Sequence, residues 1–218
     1  MGRMILLLCL GAVAMQGQTN STITATFSDP ERPGTVKISQ ANGSIAIRGY
    51  SGKDVLIESK PSHKKQPRME VRISEEGNRM TIAAPANSGI AVQVPFQTSL
   101  QLNAVNGSIF VERVLGELDL QSTNGSIDLR GVAGAVVAHS QNGSIRAIFD
   151  KVDPRRPMSF SSMNGKIDVT FPADLKATFK VQDERGSVHS DFDMLMRGGP
   201  EIQFKNYNGG IYIRKAGK

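Results

Sequence analysis

The sequence predicts an all-β fold, a parallel β-solenoid (β-helix-like) of coils about 18–23 residues long, with an antiparallel β-meander or sandwich as the alternative. Three observations predict it. The tetrapeptide Asn-Gly-Ser-Ile recurs at residues 42–45, 106–109, 124–127 and 142–145. Each copy is flanked on both sides by apolar residues two positions apart. From Asn106 onward the copies follow one another at intervals of 18 to 23 residues, the kind of internal repeat that marks solenoids and arrays.

Each unit has the same anatomy. Variants of the tetrapeptide start at Asn164, Arg185 and Asn208, so the corner positions are Asn42-Gly43, Asn106-Gly107, Asn124-Gly125, Asn142-Gly143, Asn164-Gly165, Gly186 after Arg185, and Asn208-Gly209. Six and four residues before each corner lie pairs such as Val36 and Ile38, Leu100 and Leu102, Leu118 and Leu120, or Ile202 and Phe204. Three and five residues after it lie Ile45 and Ile47, Ile109 and Val111, Ile127 and Leu129, or Ile211 and Ile213; among these following pairs only Ser190 is polar. A spacing of two puts both members of a pair on one face of a strand, so each unit offers two short amphipathic strands joined by a corner.

Asn-Gly is compatible with a type I′ hairpin turn in a meander and with the corner of a stacked coil. The solenoid is favoured because asparagine occupies six of the seven corners, where a simple turn would take aspartate equally well. Stacked coils let side-chain amides bond along the axis, and carboxylates cannot do this. Successive corners are then ~5 Å apart, against ~10 Å if a return strand intervenes.

The chain divides into three. Residues 1–14 read as a signal peptide: Arg3, an apolar run from Met4 to Leu10 and small residues to Ala14, with cleavage between 14 and 18. The apolar run is far shorter than the ~20 residues of a spanning helix, so no transmembrane anchor is expected after cleavage. Residues 19–97 form a less regular β region. Thr22 to Phe27 reads as an opening strand, Val55 with Ile57 and Ile90 to Val94 as further strands, and Val71 to Ile82 as a degenerate unit with its turn inverted to Gly77-Asn78. Residues 98–218 form the regular repeat, continuous with the former. Basic residues Lys205, Arg214, Lys215 and Lys218 suggest that the last unit is an exposed terminal coil.

Composition narrows the function. The only cysteine, Cys9, lies in the signal segment, so the mature chain has no disulfide, thiolate nucleophile or cysteine-based metal site. Net charge is +6, a mild excess; its densest stretch, Lys60 to Arg68, reads as a solvated loop. Without aromatic residues among the basic ones, nucleic acid is not an expected partner. Asp128, Arg146 and Asp168 share an outward position on neighbouring units, which reads as a surface charge ladder rather than a glycosidase pair. His63, His139 and His189 share no ligand spacing. Outward Phe110 and Tyr212 are candidate contact residues, on units that are not adjacent. No catalytic, cofactor-binding or metal residue is assigned.

Recurring Asn/Ser-Gly-Ser/Asp-Ile/Val units behind an export signal resemble the bacterial putative-adhesin family of β-strand-repeat proteins, most closely from Leu100 to Ile213. The resemblance implies a right-handed β-helix-like fold and an exported setting in the periplasm, at the outer surface or beyond. It also implies a non-catalytic role in binding an envelope protein or glycan, or in sensing envelope stress. A carbohydrate-active enzyme on the same scaffold is the remaining expectation.

Overall fold

The computed structural model describes residues 22–60, 71–85, 87–194 and 198–217. The expected signal peptide with Cys9, and the loop after Lys60 to Arg68, lie outside the described residues. No helix occurs among those described. The first strands are β1 (Thr22–Ala25), β2 (Thr35–Asn42) and β3 (Ile45–Tyr50), and then β4 (Val55–Lys60), β5 (Arg72–Glu76), β6 (Arg79–Ala83) and β7 (Gly89–Pro95). The regular region contributes β8 (Ser99–Asn106), β9 (Ile109–Glu112), β10 (Leu118–Ser122), β11 (Ile127–Ala133), β12 (Val136–Ser140), β13 (Ile145–Lys151), β14 (Met158–Asn164) and β15 (Ile167–Phe171). The chain closes with β16 (Thr178–Asp183), β17 (Val188–Ser190), β18 (Glu201–Asn208) and β19 (Ile211–Lys215).

The two strands of every Asn-Gly unit go to different sheets. Strands before the corner form a nine-stranded sheet ordered β16-β18-β14-β12-β10-β8-β2-β6-β5; strands after it join a ten-stranded sheet ordered β1-β4-β7-β3-β9-β11-β13-β15-β19-β17. Pairing between successive coils is parallel and in direct register: Leu118 lies between Leu100 and Val136, and Ile127 between Ile109 and Ile145. This is the solenoid and not the meander. Inward pairs such as Val36 and Ile38, Leu118 and Leu120, and Ile127 and Leu129 are at most 2 % exposed, each burial worth roughly 1.5–3 kcal/mol. Toward the C-terminal end the core becomes aromatic, with Phe149 stacked on Phe171 at 5.1 Å and Phe160 on Phe204 at 5.3 Å.

Glycine at the corner is required by the neighbouring coil. Only Gly43 and Gly209 among the corner glycines have left-handed φ angles, 128° and 137°. A Cβ on Gly107 would sit 2.1 Å from the carbonyl oxygen of Gly43, one on Gly125 2.2 Å from that of Gly107, and one on Gly143 2.2 Å from that of Gly125. Real Cβ atoms do not approach backbone that closely. A type I′ turn does occur, at Gly77 (φ 58°) and Asn78 (φ 64°), where β5 and β6 pair antiparallel in one sheet. The segment from Val71 to Ile82, expected to be a degenerate coil, is therefore a hairpin.

Beside the glycines runs a ladder of amides. Asn106 Nδ2 donates to Asn42 Oδ1 at 2.8 Å, and Asn124, Asn142, Asn164 and Asn208 each donate to the asparagine of the neighbouring coil at 2.9 Å. The order is spatial, not sequential. The last coil, β18 with β19, is inserted between the Asn164 coil and the Arg185 coil. The expectation of an exposed terminal coil for the last unit is thus corrected: the outermost coil is β16 with β17. Its sequence suits an end, since Phe179 and Val181 are half-buried and Val188 is 44 % exposed. Arg185 could not continue the amide ladder; its guanidinium instead lies 4.9 Å over the ring of Tyr207.

Three substitutions test this packing. Asn124→Asp places an acceptor against the acceptor Asn106 Oδ1 and is expected to lower unfolding free energy by about 1–2 kcal/mol. Gly125→Ala forces two backbones apart and is expected to cost about 3 kcal/mol, against roughly 1–2 kcal/mol for Gly77→Ala, where only the left-handed φ is penalised. Urea denaturation ranks them; equal costs for the two alanine variants would remove the close-approach account.

Candidate binding surface

Register across β4, β7, β3, β9 and β11 places two rows of side chains on the outer face of the ten-stranded sheet. One reads Glu58, Ala91, Ala46, Phe110, Asp128; the other reads Leu56, Gln93, Arg48, Glu112, Arg130. The alternating partners Ile57, Val92, Ile47, Val111 and Leu129 are buried, which obliges these ten to face outward. Two alanines side by side leave a trough of about 390 Å³, with Phe110 as one wall and Leu56 and Glu58 as the other. Phe110 is 45 % exposed.

The charged rim is cross-linked to itself. Arg48 Nε lies 3.4 Å from Glu112 Oε2, and Arg113 Nε lies 3.6 Å from Glu112 Oε1. Arg130 grips Asp128 through two hydrogen bonds of 3.0 and 2.8 Å, and these hold its guanidinium more firmly protonated than usual. Glu112 and Asp128 thus each face a guanidinium group.

A second cluster lies along the same face. Tyr212 stacks on His189 at 5.0 Å with their planes 16° apart, and Arg214 and Lys166 lie 5.2 and 5.4 Å from its ring centre. Asp168 accepts hydrogen bonds from Arg214 Nε at 2.7 Å and Lys166 Nζ at 3.1 Å. Burial alone would raise its carboxyl, but the bonds from Arg214 and Lys166 outweigh it and hold Asp168 below the ordinary carboxylate value.

The corner residues Asn42, Asn106, Asn124, Asn142, Asn164 and Asn208, with their glycines, form a single edge along the axis, to which the coil of Gly186 adds the last rung. Asp128, Arg146 and Asp168 are in register as read, yet the carboxylates bond elsewhere: Asp128 to Arg130, and Asp168 to Arg214 and Lys166. Phe110 and Tyr212 stay apart, three strands between them. His139 Nδ1 lies 2.8 Å from Ser161 Oγ on the next coil; His63 is outside the described residues. No group of three or more His, Asp or Glu converges as a metal site among the described residues.

Two sets escaped sequence reasoning. Glu58, Ala91 and Gln93 reach the trough only because β4 and β7 leave the repeat order. The other set was visible: two residues before the corner stand Ser122, Ser140 and Ser162, all buried, whose hydroxyls donate to the carbonyls of Gly107, Gly125 and Gly143 one coil away at 3.1–3.3 Å.

Residues 34–205 match the Toastrack DUF4097 family. The chain belongs to that family. The Toastrack segment contains every residue that lines the trough, while Tyr212 and Arg214 lie beyond it. No curated protein matches the chain. Among solved structures, a putative cell adhesion protein from Clostridium sporogenes shares the fold at a TM-score of 0.51 and 11 % identity, covering 89 % of this chain and 99 % of its own. A putative adhesin from Bacteroides fragilis is similar at a TM-score of 0.48 and 9 % identity, covering 90 % and 98 %.

The acid limb of stability tests the Asp168 geometry. A carboxyl lowered by folding stabilises fully above its unfolded value, about 3.9, and that contribution disappears as pH falls through the lower folded value. Asp168→Asn is expected to cost about 1 kcal/mol or less at pH 7, its bonds being partly screened by solvent. The gap to the parent should shrink below about pH 4. Denaturation at pH 7 and pH 3 measures it; a gap that widens on acidification contradicts the reading.

Proposed function

We propose that the chain is a non-catalytic exported scaffold of the bacterial cell envelope, which binds protein or glycan through the outer face of its ten-stranded sheet. The trough at Phe110 carries this reading: an exposed aromatic ring and a rim of mutually paired charges stand on a rigid sheet, the arrangement of a preformed site. Family membership and a solved neighbour described as a putative cell adhesion protein support it. Against catalysis stand Glu112 and Asp128, each engaged by arginine.

Sedimentation with isolated cell envelopes tests the proposal. The purified exported chain is expected in the pellet, saturably, and Arg48→Glu, which sets two carboxylates beside each other at the rim, is expected to reduce pelleting several-fold. A chain that stays in the supernatant at every envelope concentration refutes the scaffold function.

A further inference from the structure

We propose that the trough is a subsite for a neutral glycan, one sugar ring resting on the Ala46–Ala91 floor with its C–H face against Phe110. The inference rests on the scaffold reading above and names its ligand class. Four features of the site carry it.

The floor is apolar and flat because two outward alanines lie side by side on adjacent strands, β3 and β7. The wall is one aromatic ring, 45 % exposed. An aromatic face beside a flat apolar floor matches a ring whose faces are C–H and whose edge is polar.

The rim supplies groups for that edge. Gln93 offers both donor and acceptor, Arg48 only donors, and Glu58 and Glu112 only acceptors. Hydroxyls, which donate and accept at once, satisfy such a mixed set; a phosphate or an ammonium group does not. Charge points the same way. Arg48 and Arg130 line the trough with Glu58, Glu112 and Asp128, Arg113 meets Glu112 from beside it, and Arg48–Glu112, Arg113–Glu112 and Arg130–Asp128 are already paired within 3.6 Å. Charges of both signs are thus interleaved and largely engaged with each other, which gives no single-sign cluster to select an ionic ligand. The two hydrogen bonds from Arg130 to Asp128 also orient that guanidinium, which lowers the entropy lost on binding.

Size fits a single ring. About 390 Å³ lies at the small end of small-molecule sites, so the concavity itself seats a group of sugar-ring size.

The test combines an oligosaccharide array with treated envelopes. The purified exported chain is applied to neutral β-glucans, mannans and chito-oligosaccharides, and to acidic oligosaccharides. The expected result is retention on a neutral class, with affinity falling roughly five- to tenfold in Phe110→Ala and largely kept in Phe110→Tyr. Gln93→Ala is expected to weaken binding without altering urea stability. Envelopes oxidised with periodate, which cleaves sugar vicinal diols, should lose the chain; protease-treated envelopes should keep it. Binding that survives periodate but not protease, retention on acidic oligosaccharides alone, or an unchanged Phe110→Ala overturns the glycan assignment and leaves the scaffold function standing. Failure to bind untreated envelopes removes the scaffold function itself.

Discussion

Everything in this molecule follows from how closely one coil can lie on the next at the glycine corner. Where the carbonyl of one corner stands 2.1–2.3 Å from the place a side chain would begin on the next, from Gly107 to Gly165, only hydrogen fits. That contact fixes the axial register. Once corners are superposed, the apolar pairs on either side fall above one another, the asparagine amides come within 2.8–2.9 Å, and the buried serines reach the neighbouring glycine carbonyls. The amide ladder is exposed and each bond contributes only about 1 kcal/mol. Its larger effect is on register, because a slip by one residue would turn every inward pair toward water.

The same contact accounts for the order of the coils. An asparagine ladder tolerates no interruption, and Arg185 would interrupt it if coils stacked in chain order. The chain instead carries its last coil back against Asn164 and leaves the Arg185 coil outermost. The N-terminal end does likewise: β2 and β3 lie against β8 and β9, with β6 and β7 outside them. Two good coils are thus protected by two irregular ones. The edges of the ten-stranded sheet are poor templates for aggregation, because β17 spans only three residues and β1 only four.

What was legible in the sequence was whatever repeats. Period-two pairs gave the strands, and the preference for asparagine over aspartate at the corners pointed to stacked amides, hence to coils. The reason for glycine at the corners was not legible: a left-handed turn and a backbone contact both demand glycine, and only the neighbouring coil distinguishes them. Gly77-Asn78 shows the converse, a true hairpin turn read as a coil because its flanking pairs obey the same alternation. Coil order was illegible because it depends on contacts between residues 44 and 64 positions apart, which no local period encodes.

The trough arises where the repeat breaks. Along the regular coils the outward row after the corner is filled by Phe110, Asp128, Arg146, Asp168 and Tyr212, one bulky side chain per rung. At β3 and β7 the row falls to Ala46 and Ala91, and the antiparallel β4 then raises Leu56 and Glu58 as a far wall. A perfectly periodic solenoid would present a uniform ridge with nowhere to seat a ligand; the departure from periodicity makes the concavity, while the stacked coils behind it keep the floor flat. Irregularity that costs regular packing at one end therefore supplies a concavity with the shape of a binding site on this face, which is where conflict between local pattern and global fold is expected to coincide with function.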